Sequence, residues 1–332
     1  MNYVELRTGT PYANLIASQQ LFAAAVGDYF DVHQDDCIPT AGATGAIEAV
    51  RNHVFRTTLK KCPTVLTVSP GYWRARESFE GLGFKTIDVH TETFGFAITE
   101  TLLVAKAEEI KPDLLYLSLP NNPTGAIFDP EAVIAGVPEG TAVIIDLTLP
   151  CRAMDARVLT HELYRRFRGR NLFLVGSTSK SHGTAEYRIG WAVCANSDDA
   201  AQLKKENRNA VTTASIKEAM KRLKDGSTVI GQIESSFVLL RNGEQEGGFE
   251  LVTPERKTET GYVLIRTCVE VQELRSVLDQ HGIRVMWGSE FGLSDQYLRL
   301  ETLEPPNIRV FVETVNGACR KTVGLTSRTA GR

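Results

Sequence analysis

One lysine of this chain, Lys180, lies among hydroxyl groups and glycines in residues 177–190, with Arg188 eight residues further on. Apolar runs at residues 172–175 and 189–193 flank the segment and predict buried strands on either side. A lysine in such a place is costly unless it has a function, and as a free amine it attacks carbonyl carbons to form imines. The hydroxyl groups and the arginine offer donors for a phosphate. The combination indicates a phosphorylated aldehyde held covalently, and the alternative is a polar surface loop with a solvated lysine.

Three other polar side chains directly follow apolar runs: Tyr72, Asn122 and Asp146. Ligands of parallel sheets bind beyond the carboxyl ends of the strands, so these residues and Lys180 point to one crevice. Tyr72 offers its face to a planar ring, and Asn122 offers an amide to a phenolic oxygen. A buried Asp146 needs a partner, and a protonated pyridine nitrogen would be one. The alternatives are a core aromatic for Tyr72 and a turn residue for Asn122.

Two further features concern anions. A glycine-rich turn at residues 38–47 opens a helix, where free backbone N–H groups and the helix dipole favour negative charge. The turn matches neither a dinucleotide fingerprint nor a P-loop, and ordinary turn chemistry is the alternative. Arg299 lies inside an apolar strand pattern. It is either a fork for a substrate carboxylate or an arginine on a solvated strand face.

Bulk properties exclude several classes of function. The chain has 332 residues, 42% of them hydrophobic, and a net charge of −3, which suits a sizeable core and two domains. Without a long basic run, nucleic acid is not expected as a partner. Six scattered cysteines form no Cys-x-x-Cys pair, which indicates neither a metal site nor disulfides. With no leader-like start and no membrane-length apolar run, we expect a cytoplasmic protein with no membrane partner.

The order of the elements predicts the fold class. Strand-like and helix-like segments alternate through the first two thirds of the chain, which predicts an α/β fold: a three-layer αβα large domain with a mainly parallel sheet over residues 30–210. Strands cluster later, which predicts a smaller α+β domain from residues 1–29 and 211–320, with a flexible tail at 321–332. The predicted strands are 65–68, 85–89, 114–118, 142–145, 172–175, 262–265, 283–286 and 297–300. The predicted helices are 13–30, 76–82, 99–110, 161–167, 198–225, 271–281 and 307–319, while 230–240 is helical or extended.

Taken together, these residues resemble the fold-type-I pyridoxal-phosphate enzymes, best known as the class I and II aminotransferases, with an aspartate-aminotransferase-like fold. The likeness runs in order from about Tyr12 to Phe311. Its most specific parts are the run Asn-Asn-Pro-Thr-Gly at 121–125, Asp146, and the Ser-x-Ser-Lys run at 177–180 with its following arginine and glycine. Each is weak alone, and together they form a strong signal.

The resemblance implies a role for each residue. Lys180 would form a Schiff base with the cofactor aldehyde, Asp146 would pair with the pyridine nitrogen, Asn122 would bond the ring's 3-oxygen, and Tyr72 would stack on the ring. Arg299 would hold the α-carboxylate of the substrate. Tyr12 matches, most loosely, a tyrosine that reaches the phosphate of the partner subunit, which implies a homodimer. The phosphate would be held by Ala43, Thr44, Ser177, Ser179 and Arg188.

The chain departs from the family pattern in two places. Many members carry Asp-x-x-Tyr, whose tyrosine also bonds the 3-oxygen, but here Leu149 follows Asp146 at that spacing and Thr148 or another residue would have to substitute. The chain is also short and lacks an extended N-terminal arm. The spacing around Lys180 is similar to the alliinase and plant tryptophan-aminotransferase group, which contains both a lyase and a transaminase.

Three functions remain open from the sequence. The first is an aminotransferase acting on an α-amino acid and a 2-oxo acid with pyridoxal 5′-phosphate. The second is a lyase of the β-elimination or carbon–sulfur type on the same cofactor. The third is a non-catalytic binding or regulatory protein, against which the joint presence of Lys180, Asp146, Asn122 and Arg188 argues.

Overall fold

The computed structural model describes residues 11–206, 211–226 and 228–329, with the backbone alone for residues 11–15, 206 and 321–329. The strands are β1 (Cys37–Thr40), β2 (Thr64–Ser69), β3 (Lys85–His90), β4 (Leu114–Ser118), β5 (Ala142–Asp146), β6 (Leu172–Ser177), β7 (Gly190–Cys194), β8 (Phe249–Leu251), β9 (Tyr262–Thr267), β10 (Met286–Trp287) and β11 (Tyr297–Glu301). The helices are α1 (Pro11–Phe30), α2 (Gly42–Thr57), α3 (Trp73–Leu82), α4 (Glu100–Ile110), α5 (Pro130–Gly136), α6 (Ala156–Arg166), α7 (Thr178–Ser181), α8 (Ser197–Glu206), α9 (Thr213–Asp225), α10 (Ile230–Glu244), α11 (Val271–Gln280) and α12 (Pro305–Thr329).

The first seven strands form one sheet in the order β1-β7-β6-β5-β4-β2-β3. Strands β2 to β6 pair in parallel, while β7 runs antiparallel to both of its neighbours. A helix lies between each pair of consecutive parallel strands from β2 to β6, since parallel strands need a crossover connection. The mainly parallel sheet predicted from the alternating pattern is therefore confirmed.

Both faces of this sheet are covered, which explains why its central strands read as continuous apolar runs. In β6, Leu172 and Leu174 enter one apolar cluster, whereas Phe173 and Val175 enter the cluster on the opposite face. The two clusters are the two interfaces of a three-layer αβα arrangement, in which side chains alternate across each strand. The strand ends thereby meet at one edge, with short loops free to carry polar side chains.

A second, smaller sheet follows in the order β10-β11-β9-β8, with every pair antiparallel. Helices α10, α11 and α12 contact it or one another, and their apolar side chains share one cluster with those of β9 and β11. The predicted second, smaller domain with a different strand pattern is confirmed. Residues 230–240, left open between helix and strand, are helical.

Helices α1 and α9 pack on the large sheet. Phe22 and Val26 of α1 and Ile216 and Leu223 of α9 belong to the same apolar cluster as the central strands. Amphipathic periodicity shows that a helix has an apolar face but not which sheet it covers. The grouping of residues 1–29 and 211–320 in the small domain, with its boundary positions, stays a prediction.

Other local expectations differ from the structure. Strand β1 was not predicted, because its four residues include Pro39 and precede a glycine-rich turn. The long helix expected over 198–225 is two helices, α8 and α9, on either side of residues 207–210, which lie outside the described part. The terminal helix continues to Thr329, past its predicted end at residue 319. The flexibility predicted for residues 321–332 stays a prediction, and residues 330–332 lie outside the description.

Candidate active site

The carboxyl edge of the large sheet contains a cavity of about 380 Å³ that also reaches the small sheet. Ten of the eleven site residues predicted from the sequence line it. They are Ala43, Thr44, Tyr72, Asn122, Asp146, Ser177, Ser179, Lys180, Arg188 and Arg299. Residues at or just after the carboxyl ends of four parallel strands, β2, β4, β5 and β6, thus converge with the start of α2, as the edge rule for parallel sheets predicts.

Tyr12 is the eleventh predicted residue. It lies in the first turn of α1, where the structure describes the backbone but not the side chain. Its contact with a partner subunit therefore stays a prediction.

Lys180 belongs to α7, the single helical turn that follows β6. Its Nζ forms an ion pair with Glu301 at the end of β11 and lies 5.0 Å from the ring centre of Tyr262. The lysine side chain is only 22% exposed. It therefore points into the cavity rather than into bulk water.

The protonation of Lys180 differs from the sequence-based expectation of a free amine. Burial lowers the pKa of Lys180, but Tyr262 and the Glu301 carboxylate raise it more, so that the pKa lies above its ordinary value. An opposite charge within hydrogen-bond distance outweighs desolvation here. In the cofactor-free protein Lys180 is thus held as an ammonium ion by a residue of the other sheet.

Asp146 ends β5 and is buried. Its carboxylate accepts hydrogen bonds from the Tyr116 hydroxyl at 2.9 Å and from the Thr148 backbone N–H at 3.0 Å. Burial raises the pKa of Asp146 above its ordinary value, although the bonds from Thr148 and Tyr116 act in the opposite direction. A buried carboxylate with hydrogen bonds but no cation is suited to receive a cationic group.

An anion cradle lies at the start of α2. The N-cap residue Ala41 makes no side-chain capping bond, which leaves the first N–H groups of the helix available. Gly42 has φ +74°, and a Cβ there would lie 3.0 Å from the Arg188 guanidinium. The Ser179 hydroxyl is buried and has no hydrogen-bond partner. The Arg188 guanidinium makes a 3.4 Å bond to the Ala185 carbonyl oxygen, and its other N–H donors join those of Ser179 and the helix start.

Two polar side chains complete this side of the cavity. The Thr44 hydroxyl lies 3.4 Å from the Tyr72 hydroxyl. Burial raises the pKa of Tyr72, so its phenol stays neutral. The Asn122 side-chain oxygen accepts a 3.5 Å bond from Arg299, which leaves the NH₂ group of the same amide to donate elsewhere.

Leu149 lines the cavity at the position where many family members have a tyrosine. Its side chain cannot supply the phenol. Thr148 does not replace it, because its hydroxyl bonds Asp146. The cavity contains another phenol, that of Tyr262 on β9, whose ring lies under Arg299 at 4.3 Å.

Sequence reasoning missed Glu301, Tyr262 and Tyr116. Tyr262 and Glu301 are directly opposite each other on β9 and β11, a register that the sequence does not reveal. A signal for Glu301 was available: it lies two residues after Arg299, and alternate residues of a strand share a face. Tyr116 looks like one more apolar residue of a buried strand in the sequence. Its hydroxyl has a role only because Asp146 on the neighbouring strand β5 accepts its hydrogen bond.

The fold and the site define a class of protein: an αβα fold with a lysine, a buried carboxylate and an anion cradle at one sheet edge. The family described as aminotransferase class I and II matches residues 14–315, and the chain belongs to this family. Histidinol-phosphate aminotransferase of Wolinella succinogenes is 27% identical over 194 residues, which cover 55% of this chain and 52% of that protein. The chain spans about half the length of the first curated relatives it matches.

Solved structures share the fold. Histidinol-phosphate aminotransferase from Clostridium acetobutylicum gives a TM-score of 0.73 at 16% identity, covering 94% of this chain and 91% of that one. The Sinorhizobium meliloti protein of the same name, in complex with pyridoxal-5′-phosphate, gives a TM-score of 0.72 at 18% identity. The match covers 91% of this chain and 82% of that one. At these identities the likeness shows the fold.

Membership of this family implies pyridoxal 5′-phosphate as the cofactor, and the residues fit that group. The unpartnered Ser179 hydroxyl and the Arg188 guanidinium beside Gly42 suit a phosphate. Asp146 lacks a cation that a protonated pyridine would supply. No group of three or more metal-ligating side chains occurs within the described ranges, and no helix there is long and apolar enough to cross a membrane.

Proposed function

We propose that this protein is a pyridoxal-phosphate-dependent aminotransferase that moves an amino group between an α-amino acid and a 2-oxo acid. The observation that carries the proposal is one cavity shared by Lys180, the buried carboxylate of Asp146 and the anion cradle at Gly42. A binding protein would need no amine positioned for imine formation. Amino acid and 2-oxo acid are accordingly the substrates we propose.

When bound, the cofactor supplies an aldehyde carbon that bonds amines and a protonated ring that accepts electrons. Lys180 would be the amine that holds this carbon. Asp146 would keep the ring nitrogen protonated, and Tyr116 and Thr148 fix its carboxylate for that role. Tyr72 would cover the ring face, and the Asn122 NH₂ group would donate to the ring's 3-oxygen.

Lys180 would also move the proton of the substrate α-carbon, for which its nitrogen must be a free amine. Glu301 and Tyr262 favour the ammonium form in the cofactor-free protein, so loading must first release the ion pair. Arg299 would receive the substrate's anionic group, since its guanidinium makes a long 3.5 Å hydrogen bond to the Asn122 side-chain oxygen and keeps further N–H donors for a ligand.

Further details remain part of the proposal. A homodimer with Tyr12 reaching the partner's phosphate site follows from the family resemblance. We propose a cytoplasmic location, which the six free cysteines of the structure support. Because the first curated relatives are named histidinol-phosphate aminotransferases, histidinol phosphate joins the amino donors to be tested.

The test is a panel of amino donors added to the cofactor-loaded protein without a 2-oxo acid, followed by absorbance. We expect at least one donor to convert the bound cofactor to its amine form, with release of the matching oxo compound. Release of pyruvate and ammonia instead would support the lyase alternative. A colourless protein that takes up no added cofactor would support the binding-protein alternative.

A further inference from the structure

Glu301 is the partner of Lys180 in the cofactor-free protein, and loading must separate them. The Glu301 carboxylate forms its ion pair with the Lys180 ammonium and is 48% exposed. An amine bonded to the cofactor's aldehyde carbon can no longer offer three N–H donors. The carboxylate is therefore released at the point where a substrate amine must exchange with Lys180.

Glu301 and Arg299 share one face of β11. They are two residues apart, so both side chains leave the strand on the same side with their Cα atoms roughly 7 Å apart. Tyr262, directly opposite Glu301 on β9, lies on that face too and contacts the Arg299 guanidinium. A cation and an anion thus stand side by side at the mouth of the cavity, although the two side chains form no ion pair within 4.0 Å in the described structure.

This pair matches the charges of an amino acid. We propose that Glu301 binds the ammonium group of the incoming amino substrate while Arg299 binds its carboxylate, an inference that rests on the function proposed above. Glu301 then has two alternative cations: the substrate ammonium in the cofactor-loaded protein, and the Lys180 ammonium in the cofactor-free protein. The 2-oxo acid has no ammonium, so its binding depends on Arg299 alone.

The competing interpretation is that Glu301 acts only on Lys180. In that case its removal would change the reactivity of the lysine but not the preference of the site for zwitterions. The two interpretations therefore differ in equilibrium binding of molecules that cannot react.

The test uses a matched pair of unreactive probes. N,N-dimethylleucine is a zwitterion whose tertiary amine cannot form an imine, and 4-methylpentanoate is the same carboxylic acid without nitrogen. Both are titrated calorimetrically into the cofactor-loaded protein. We expect the wild type to bind the zwitterion about fivefold more tightly, as suits a half-exposed charge pair. Glu301→Gln should abolish that preference and leave the affinity for 4-methylpentanoate unchanged.

Two control variants are needed. Arg299→Gln should weaken the binding of both probes. Glu108→Gln, on the exposed side of α4, changes the net charge equally and should weaken the binding of neither. The inference is overturned if the Glu301→Gln protein keeps the preference for the zwitterion, or if the wild type shows no such preference. In either case, a protein that still takes up the cofactor leaves the proposed function standing. A wild type that takes up no cofactor contradicts the proposed function itself, and the inference falls with it.

Discussion

The Tyr116 hydroxyl donates a 2.9 Å hydrogen bond to the Asp146 carboxylate, joining two neighbouring strands of the large sheet through their side chains. Both residues are buried. The bond fixes the orientation of a carboxylate whose charge is otherwise unfavourable in the core. It also makes the site sensitive to substitutions at a position that reads as plain apolar core.

Tyr116→Phe removes this donor without changing the packing volume greatly. We expect the free energy of unfolding of the cofactor-free protein to fall by about 1–2 kcal/mol at neutral pH, because a buried acceptor loses its partner. Denaturant unfolding measures the difference. Tyr164→Phe is the matched control, since it removes a similar bond to Asp36 far from the cavity. A Tyr116→Phe protein as stable as the wild type, with Tyr164→Phe destabilised, would count against the role given to this bond.

Asp146 should also give the cofactor-free protein a characteristic pH dependence. Its pKa is raised by burial above the ordinary value of 3.8, so its contribution to stability is complete below about that pH and is lost as pH rises through the folded-state pKa. Asp146→Asn removes the titrating group. We therefore expect its stability relative to the wild type to increase with pH in urea unfolding without cofactor. Parallel pH profiles would show that Asp146 is not strained by its charge.

Much of this site was readable from the sequence because it follows strand ends. Asp146, Asn122 and Lys180 each come after an apolar run, and parallel topology brings such positions to one edge whatever the loop lengths. The contribution of the small sheet was not readable in the same way. Glu301 reaches Lys180 from 121 positions away, and this contact depends on strand register and on how the sheets meet.

The packing of individual helices was not readable for a related reason. The periodicity of α1 was correctly predicted, since an apolar stripe is a local property of the sequence. Its packing on the large sheet, through Phe22 and Val26, was not predicted, because the choice between two apolar surfaces is not local. The four-residue strand β1 shows the lower limit of what pattern reading can detect.

Gly42→Ala tests the anion cradle. A Cβ would force a side chain into the left-handed region at φ +74° and lie 3.0 Å from the Arg188 Nη2. We expect the affinity for pyridoxal phosphate to fall by about tenfold or more, because strain and a displaced guanidinium each cost about 1 kcal/mol or more. Gly81→Ala is the control: it lies in α3, nothing would lie within 4 Å of its Cβ, and it should leave cofactor affinity unchanged. Equal affinities for all three proteins would exclude this cradle as the phosphate site.

Glu301→Gln should change how the cofactor-free protein captures pyridoxal phosphate. Removing the carboxylate lowers the pKa of Lys180, since Glu301 is one of the groups that raise it. A larger share of free amine at neutral pH should speed imine formation several-fold. Stopped-flow absorbance at several pH values measures the rate. An unchanged rate across that range would mean that the ion pair does not control the lysine.

Tyr262→Leu removes the aromatic ring that both Arg299 and Lys180 contact. Arg299 and Lys180 lie 4.3 and 5.0 Å from the ring centre, and each contact is worth about 0.5–1 kcal/mol. We expect KM for the amino substrate to rise about threefold to fivefold through a less ordered Arg299, while Tyr262→Phe, which keeps the ring, should change KM little. If KM rose equally in both variants, the phenol hydroxyl rather than the ring would be the important group. Tyr262 would then replace the family tyrosine that is absent at position 149.

The central claim is that Lys180 forms the covalent link to the cofactor. Borohydride reduction of the cofactor-loaded protein, followed by proteolysis and mass spectrometry, locates that link directly. We predict the reduced adduct on the peptide that contains Lys180, its absence in Lys180→Ala, and its persistence in Lys217→Ala, a variant of an exposed lysine on α9. An adduct on any other lysine, or none in a folded wild type saturated with cofactor, would contradict the claim.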